Sequence, residues 1–203
     1  MGIKAIAFDY GGVIAFFQDK QAMQDMADMA GIDSDMMNRI YWERRSDYDK
    51  GLVDGHEFFK NTLADAGVFT DPDTLERLVS RDLKSWSHVN PKTVEFILEL
   101  KKSGVKLAVL SNIVKEFLEQ VKETLPVFSL FDTLIFSCEV NSSKPEEKIY
   151  RILLSQLDCK AEEVVFFDDM EVNVQAARDF GIQAFLWKDP ETARKELESL
   201  WRR

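Results

Sequence analysis

The sequence predicts an α/β fold: a Rossmann-like, parallel five-stranded sheet carrying a small inserted helical bundle. Five short runs rich in Ile, Val, Leu and Phe recur along the chain, and amphipathic stretches of helical period separate the last four. A long block with helical patterns only divides the first run from the second. Runs that are apolar at nearly every position mark parallel strands buried on both faces, with helices covering each side.

The strand runs fall at 3–8, 106–110, 133–137, 164–167 and 183–187. Helical patterns follow the second, third and fourth at 114–123, 146–157 and 172–180. Gly104, after Lys101 and Lys102, reads as a helix C-cap with a cationic last turn. Gly181 closes the helix before the fifth run, and Asp189-Pro190 opens a final helix with Leu197, Leu200 and Trp201 on one stripe. Between the first two strands lie helical patterns at 21–30, 34–48, 55–66 and 72–83, too long a block for a simple crossover. The expected organisation is therefore a core of residues 1–15 and 89–203 with a helical insertion at 16–88. Met23, Met26 and Met29 are spaced for a core face of that insertion.

A formal charge of −10 argues against nucleic acid or an anionic membrane as partner, since both demand clustered basic surface. No stretch approaches the roughly 20 apolar residues of a membrane span, and the N-terminal segment lacks the pattern of a signal peptide. The two cysteines, Cys138 and Cys159, have no metal-ligand spacing, so a reducing cytoplasm is expected. A monomer or a homodimer is equally compatible with these features.

Four segments carry chemistry. FDYGGVI delivers Asp9 at the end of the first strand, and Gly11 and Gly12 let the backbone approach an anion closely. VLSN places Ser111 and Asn112 after the second strand, where the hydroxyl and nearby N–H groups either cap a helix or hold phosphate oxygens. VNSSKPEEKIY carries Lys144, an ammonium able to neutralise a phosphoryl group if it faces inward. VVFFDDMEVNV ends a fully apolar strand in Asp168 and Asp169, with Asn173 following. One Asp suffices as a helix cap; a second at the same exit repels the first unless a cation lies beside them, and an all-oxygen set suits Mg²⁺. Parallel strands bring these segments to one sheet edge.

With these four motifs in this order, the chain resembles the haloacid dehalogenase-like hydrolases, in the branch with a helical cap inserted after the first motif. It is similar in pattern to bacterial hexose-1-phosphate phosphatases and to the N-terminal phosphatase domain of soluble epoxide hydrolases. The resemblance implies a phosphatase for a small phosphorylated metabolite, with Asp9 forming an aspartyl-phosphate. It implies Mg²⁺ held by Asp9, the Gly11 carbonyl and Asp169, with Asp168 adjacent and Asn173 orienting the acidic pair. Ser111 and Lys144 would hold the phosphoryl oxygens, Gly11, Gly12 and Asn112 completing that pocket.

One position departs from the pattern. Most phosphatases of the family place a second Asp, the general acid, two residues after the nucleophile; here it is Gly11. A missing general acid costs about two to four orders of magnitude unless the leaving group departs unaided. Sugar-1-phosphates and acyl phosphates are thereby favoured, or an acid from the cap, for which His56, Asp19 and Glu43 are candidates. Tyr41, Trp42, Arg44 and Arg45 fall in the cap, where an aromatic-plus-Arg cluster suits a sugar, although helix packing and surface charge are the expected role of each residue taken singly. The competing readings are a binding protein that lost turnover through Gly11, and a metal-independent dehalogenase.

Overall fold

The computed structural model describes residues 2–18, 20–122 and 124–201. Five parallel strands, β1 (Ala5–Phe8), β2 (Lys106–Ser111), β3 (Thr133–Phe136), β4 (Val164–Asp168) and β5 (Gln183–Leu186), form one sheet in the order β3-β2-β1-β4-β5. β1 is central and pairs with β2 on one side and β4 on the other. The order reverses across it, which is where ligands bind in open α/β sheets.

The two faces of the sheet bury different residues, as a period of two requires. Ile6, Phe8, Leu107, Val109, Val165 and Phe167 point into one core, and Ala5, Ala7, Ala108, Leu110, Val164 and Phe166 into the other. Helices α5 (Pro91–Lys102) and α10 (Pro190–Trp201) close the first face through Phe96, Ile97 and Leu197. Phe8 meets Phe96, Phe167 and Trp187 there at ring separations of 6.2, 5.5 and 6.1 Å. Helices α8 (Glu147–Leu157) and α9 (Glu171–Asp179) close the second through Ile149, Tyr150, Leu153 and Val174. Full burial of one such side chain is worth about 1.5–3 kcal/mol.

Between β1 and α5 the chain forms α1 (Lys20–Ala30), α2 (Ser34–Asp49), α3 (Gly55–Asp65) and α4 (Pro72–Ser85), with no strand among the described residues. Asp33, Asp54 and Asp71 start the last three by accepting from Met36, Glu57 and Thr74 N–H groups at 2.9, 2.8 and 2.9 Å. Met23 and Met26 pack in the first core, as their spacing predicts. A neck of two antiparallel chain segments joins this helical unit to the sheet, where Phe16 N–H donates to the His88 carbonyl and Asn90 N–H to the Ile14 carbonyl. Further contacts seat it on the core: Tyr10 donates to the Trp86 carbonyl at 3.1 Å, and Lys50 pairs with Glu146 at 3.0 Å.

The third run ends sooner than its composition predicts. Ser137 leaves β3 to open a short helix, α7 (Ser137–Val140), because its hydroxyl bonds the Asp49 carbonyl and the Ile113 N–H. The helix expected over 114–123 is confined to α6 (Lys115–Val121), and Glu123 lies outside the described residues. Trp201 does not join the Leu197 stripe but is half exposed. No described helix is long and apolar enough to cross a membrane.

Candidate active site

The carboxyl ends of β1, β2 and β4 open into one cavity of about 610 Å³, lined by Asp9, Gly11, Ser111, Asn112, Lys144, Asp169 and Asn173 among others. Sequence reasoning brings these residues to one edge, and they meet there. The centre is Lys144, buried, its ammonium 2.8 Å from Asp9 Oδ1 and 2.6 Å from Asp168 Oδ2. Asn112 holds the Lys144 backbone in a reciprocal pair: its Nδ2 donates to the Lys144 carbonyl at 3.0 Å, and Lys144 N–H donates to its Oδ1 at 2.8 Å. Asn112 thus fixes the lysine across the two loops instead of facing the cavity as a free amide.

Asp9 Oδ1 also accepts from the Tyr10 N–H at 2.7 Å. Among the described residues no hydrogen bond engages Oδ2, and Asp9 lines the cavity. Asp168 is fully buried beneath the cavity, and both its oxygens are engaged. Oδ1 accepts from the Met170 N–H and Asn173 Nδ2 at 2.9 and 3.0 Å, and Oδ2 from Lys144. Tyr150 donates to the Asn173 carbonyl at 2.9 Å and steadies that arm. Asp168 therefore anchors Lys144, while Asp169 is the member of the acidic pair that lines the cavity.

Gly12 has a different use from the one its sequence context predicts. It does not line the cavity; with φ at +74°, an added Cβ would sit 2.1 Å from Asp169 Oδ2. The glycine makes room for the Asp169 carboxylate. At Gly11 a Cβ would sit 3.1 Å from the Trp86 ring, so the position where the family pattern has an acid faces an indole.

Ligand oxygens of Asp9, Asp168 and Asp169 lie within 4.8 Å of one another. Burial pushes Asp9 up to about 7, with Lys144 pulling it down and Asp168 and Asp169 adding to the rise. Burial, then Asp168, raises Asp169 to about 6. Burial disfavours the Lys144 charge, but Asp168 and Asp9 outweigh it and raise its pKa. Three carboxylates against one ammonium leave net negative charge in a largely buried cluster. An all-oxygen, His-free set of this kind fits a hard dication such as Mg²⁺.

A model of the haloacid dehalogenase-like hydrolases matches residues 3–181. The chain belongs to this family. Pig (Sus scrofa) bifunctional epoxide hydrolase 2 is 24% identical over 98% of the chain, which spans only 39% of that protein's length. A D-ribitol-5-phosphate phosphatase of Bacteroides thetaiotaomicron is 26% identical, over 96% of this chain and 97% of its own. Among solved structures, a family enzyme from the same organism, in complex with magnesium and inorganic phosphate, superposes with a TM-score of 0.71 at 20% identity, covering 93% of this chain and 96% of that one.

The helical unit contributes lining residues, of which sequence reasoning named Trp42 and Arg45 and missed Phe17, Asp49 and Trp86. Phe17, Trp42, Arg45, Asp49 and Trp86 line the cavity, joined from the core by Phe117, Met170 and Val172. Two of the expected acids do not line it: His56 pairs with Glu76 at 2.8 Å in a separate cavity and Glu43 is exposed, while Asp19 lies outside the described residues. The helical-unit carboxylate that lines the cavity is Asp49, bound to Arg45 Nε at 2.7 Å. Its only sequence signal is the four-residue spacing from Arg45. Nor do the four residues expected to suit a sugar gather. Tyr41 is buried against Asp82, Arg44 pairs with Asp65 on the surface, and only Trp42 and Arg45 line the cavity.

Proposed function

We propose that this hydrolase is a magnesium-dependent phosphatase of a small phosphorylated metabolite, working through an aspartyl-phosphate on Asp9. The observation that carries the reading is the buried Lys144 ammonium, held between Asp9 and Asp168 at the floor of a cavity that Ser111 and Asp169 share.

Asp9, Asp169 and the Gly11 carbonyl would hold Mg²⁺, which when bound neutralises charge on the transferring phosphoryl group. The chain's own residues do the rest. Asp9 Oδ2 attacks phosphorus, the bond from phosphorus to the leaving oxygen breaks, and that oxygen keeps the electron pair. Lys144 and the Ser111 hydroxyl receive the phosphoryl oxygens, and Asn112 and Asp168 keep Lys144 in place. Water then attacks phosphorus, restoring the Asp9 carboxylate and freeing inorganic phosphate. Residues 16–88 act as the cap over a core formed by 1–15 and 89–203.

With Gly11 where a second Asp would stand, no acid two residues from the nucleophile protonates the leaving oxygen. Acyl phosphates and sugar-1-phosphates, which leave more readily, therefore outrank simple alkyl esters. The test is phosphate release from a panel of acyl phosphates, sugar phosphates and nucleotides, with Mg²⁺ and with chelator. Magnesium-dependent release from the activated esters supports the reading. Tight phosphate binding without release from any compound would make the protein a binder, and halide release without metal would make it a dehalogenase.

A further inference from the structure

Resting on the phosphatase reading, we infer that the organic part of the substrate is an apolar chain or ring carrying no second anionic group. The cavity of about 610 Å³ far exceeds what a phosphoryl group fills, and its size is that of pockets for drug-sized ligands. Above the floor its walls are mostly carbon. Phe17 stacks on Trp42 at 6.0 Å with an interplanar angle of 22°, and Trp86 meets both edge-on at 5.5 and 6.5 Å. Met170 and Val172 face them from the core side of the same cavity.

Four of these side chains are unusually open for their type: Phe17, Trp42, Met170 and Val172 are 50, 40, 49 and 56% exposed. Scattered single apolar residues on a surface need no explanation, but a contiguous set around one cavity does. Here the set rims the phosphoryl site, so an apolar group tethered to that phosphate would cover it. The aromatic wall is also firmly built. Asp82, fully buried, accepts from Trp86 Nε1 at 3.2 Å, Tyr41 at 2.7 Å and Gln18 at 3.0 Å. Trp86 is thus held against Gly11 by a hydrogen bond outside the cavity.

The charges exclude the alternatives. Among the described residues two cations line the cavity, and both are already matched. Lys144 lies between Asp9 and Asp168, and Arg45 between Asp49 and Asp82 at 2.7 and 3.2 Å. A nucleotide or bisphosphate brings further anionic groups for which no unmatched cation lines the walls among the described residues. Of the two activated classes, a sugar-1-phosphate is therefore the weaker fit, because its hydroxyls must leave water to face indole and phenyl rings. An apolar chain loses nothing by the same transfer.

The test uses acetyl, butyryl, hexanoyl and octanoyl phosphate with the Mg²⁺-loaded full chain. The carboxylate leaving groups are nearly equal in basicity, so the missing acid at Gly11 affects all four alike and only apolar length varies. The inference expects kcat/KM to rise with length, by up to about fourfold per methylene while the chain lies on the wall. Phe17→Ser should flatten the octanoyl-to-acetyl ratio, and Phe17→Leu should keep most of it. A flat or falling series, with phosphate still released, overturns the apolar assignment and leaves the phosphatase reading intact. No release from any member removes the phosphatase reading and the inference with it.

Discussion

Gly12→Ala is the smallest change that separates the acidic site from the fold carrying it. The native residue has φ at +74°, and the new Cβ would stand 2.1 Å from Asp169 Oδ2, where real Cβ contacts essentially never fall below 3.0 Å. The left-handed backbone costs a residue with a side chain about 1–2 kcal/mol. At this chain length that corresponds to a fall in Tm of about 2–8 °C. The carboxylate must in addition retreat by about 1 Å, and Mg²⁺ demands oxygen ligands at about 2.0–2.1 Å in near-octahedral array. Loss of that ligand should weaken Mg²⁺ by about 10–100-fold or more. Calorimetric titration with Mg²⁺ and a thermal melt of the metal-free protein measure the two effects separately. Unchanged Mg²⁺ affinity beside a lowered Tm would refute the placing of Asp169 as a ligand. An unchanged Tm would refute the conformation assigned to Gly12.

Other perturbations test other parts of the site. Asp9→Asn should abolish phosphate release while phosphate binding persists, and substantial turnover would remove Asp9 as nucleophile. Acidity should weaken Mg²⁺ in a stated direction. Because Asp9 is raised to about 7 and Asp169 to about 6, protons compete with the metal below those values. Apparent affinity should therefore be full above about pH 7 and fall as pH drops through 7 and then 6, with protons released on binding; titrations in buffers of different ionisation enthalpy would show it, and pH-independent binding would contradict it. Gly11→Asp alone should not restore an acid, because its Cβ already presses on the Trp86 ring at 3.1 Å. Only with Trp86→Ala should it speed poor leaving groups more than good ones, and equal acceleration of both would undercut the missing-acid argument.

The parts of this site that sequence reveals are those fixed by local pattern. Asp9, Ser111 and Asp168 each end a run that can only be a buried strand, so parallel pairing alone brings them to one edge. Lys144 is read from the same logic one loop further on. The residues that escaped are set by pairings across the chain. Trp86 lies against Gly11, and Asp49 reaches the cavity through Ser137; both relations join the helical unit to the core over 75 or more positions. Amphipathic period says that a helix buries a face, not what that face meets. The Tyr41–Arg45 stretch shows the cost: Trp42 and Arg45, three apart, share the cavity, while Tyr41 turns to Asp82 and Arg44 to Asp65, partners far along the chain. Phe16 and Phe17 offered a signal that went unused, as two large apolar residues in a loop directly after the glycine turn.

The stereochemical course at phosphorus tests the account's central claim most directly, read with a thiophosphate ester made chiral by oxygen isotopes and turned over by the Mg²⁺-loaded protein. Two in-line displacements, first by Asp9 and then by water, predict net retention of configuration. Inversion would mean that water attacks the substrate directly, and Asp9 would then be a base or a ligand but not the nucleophile.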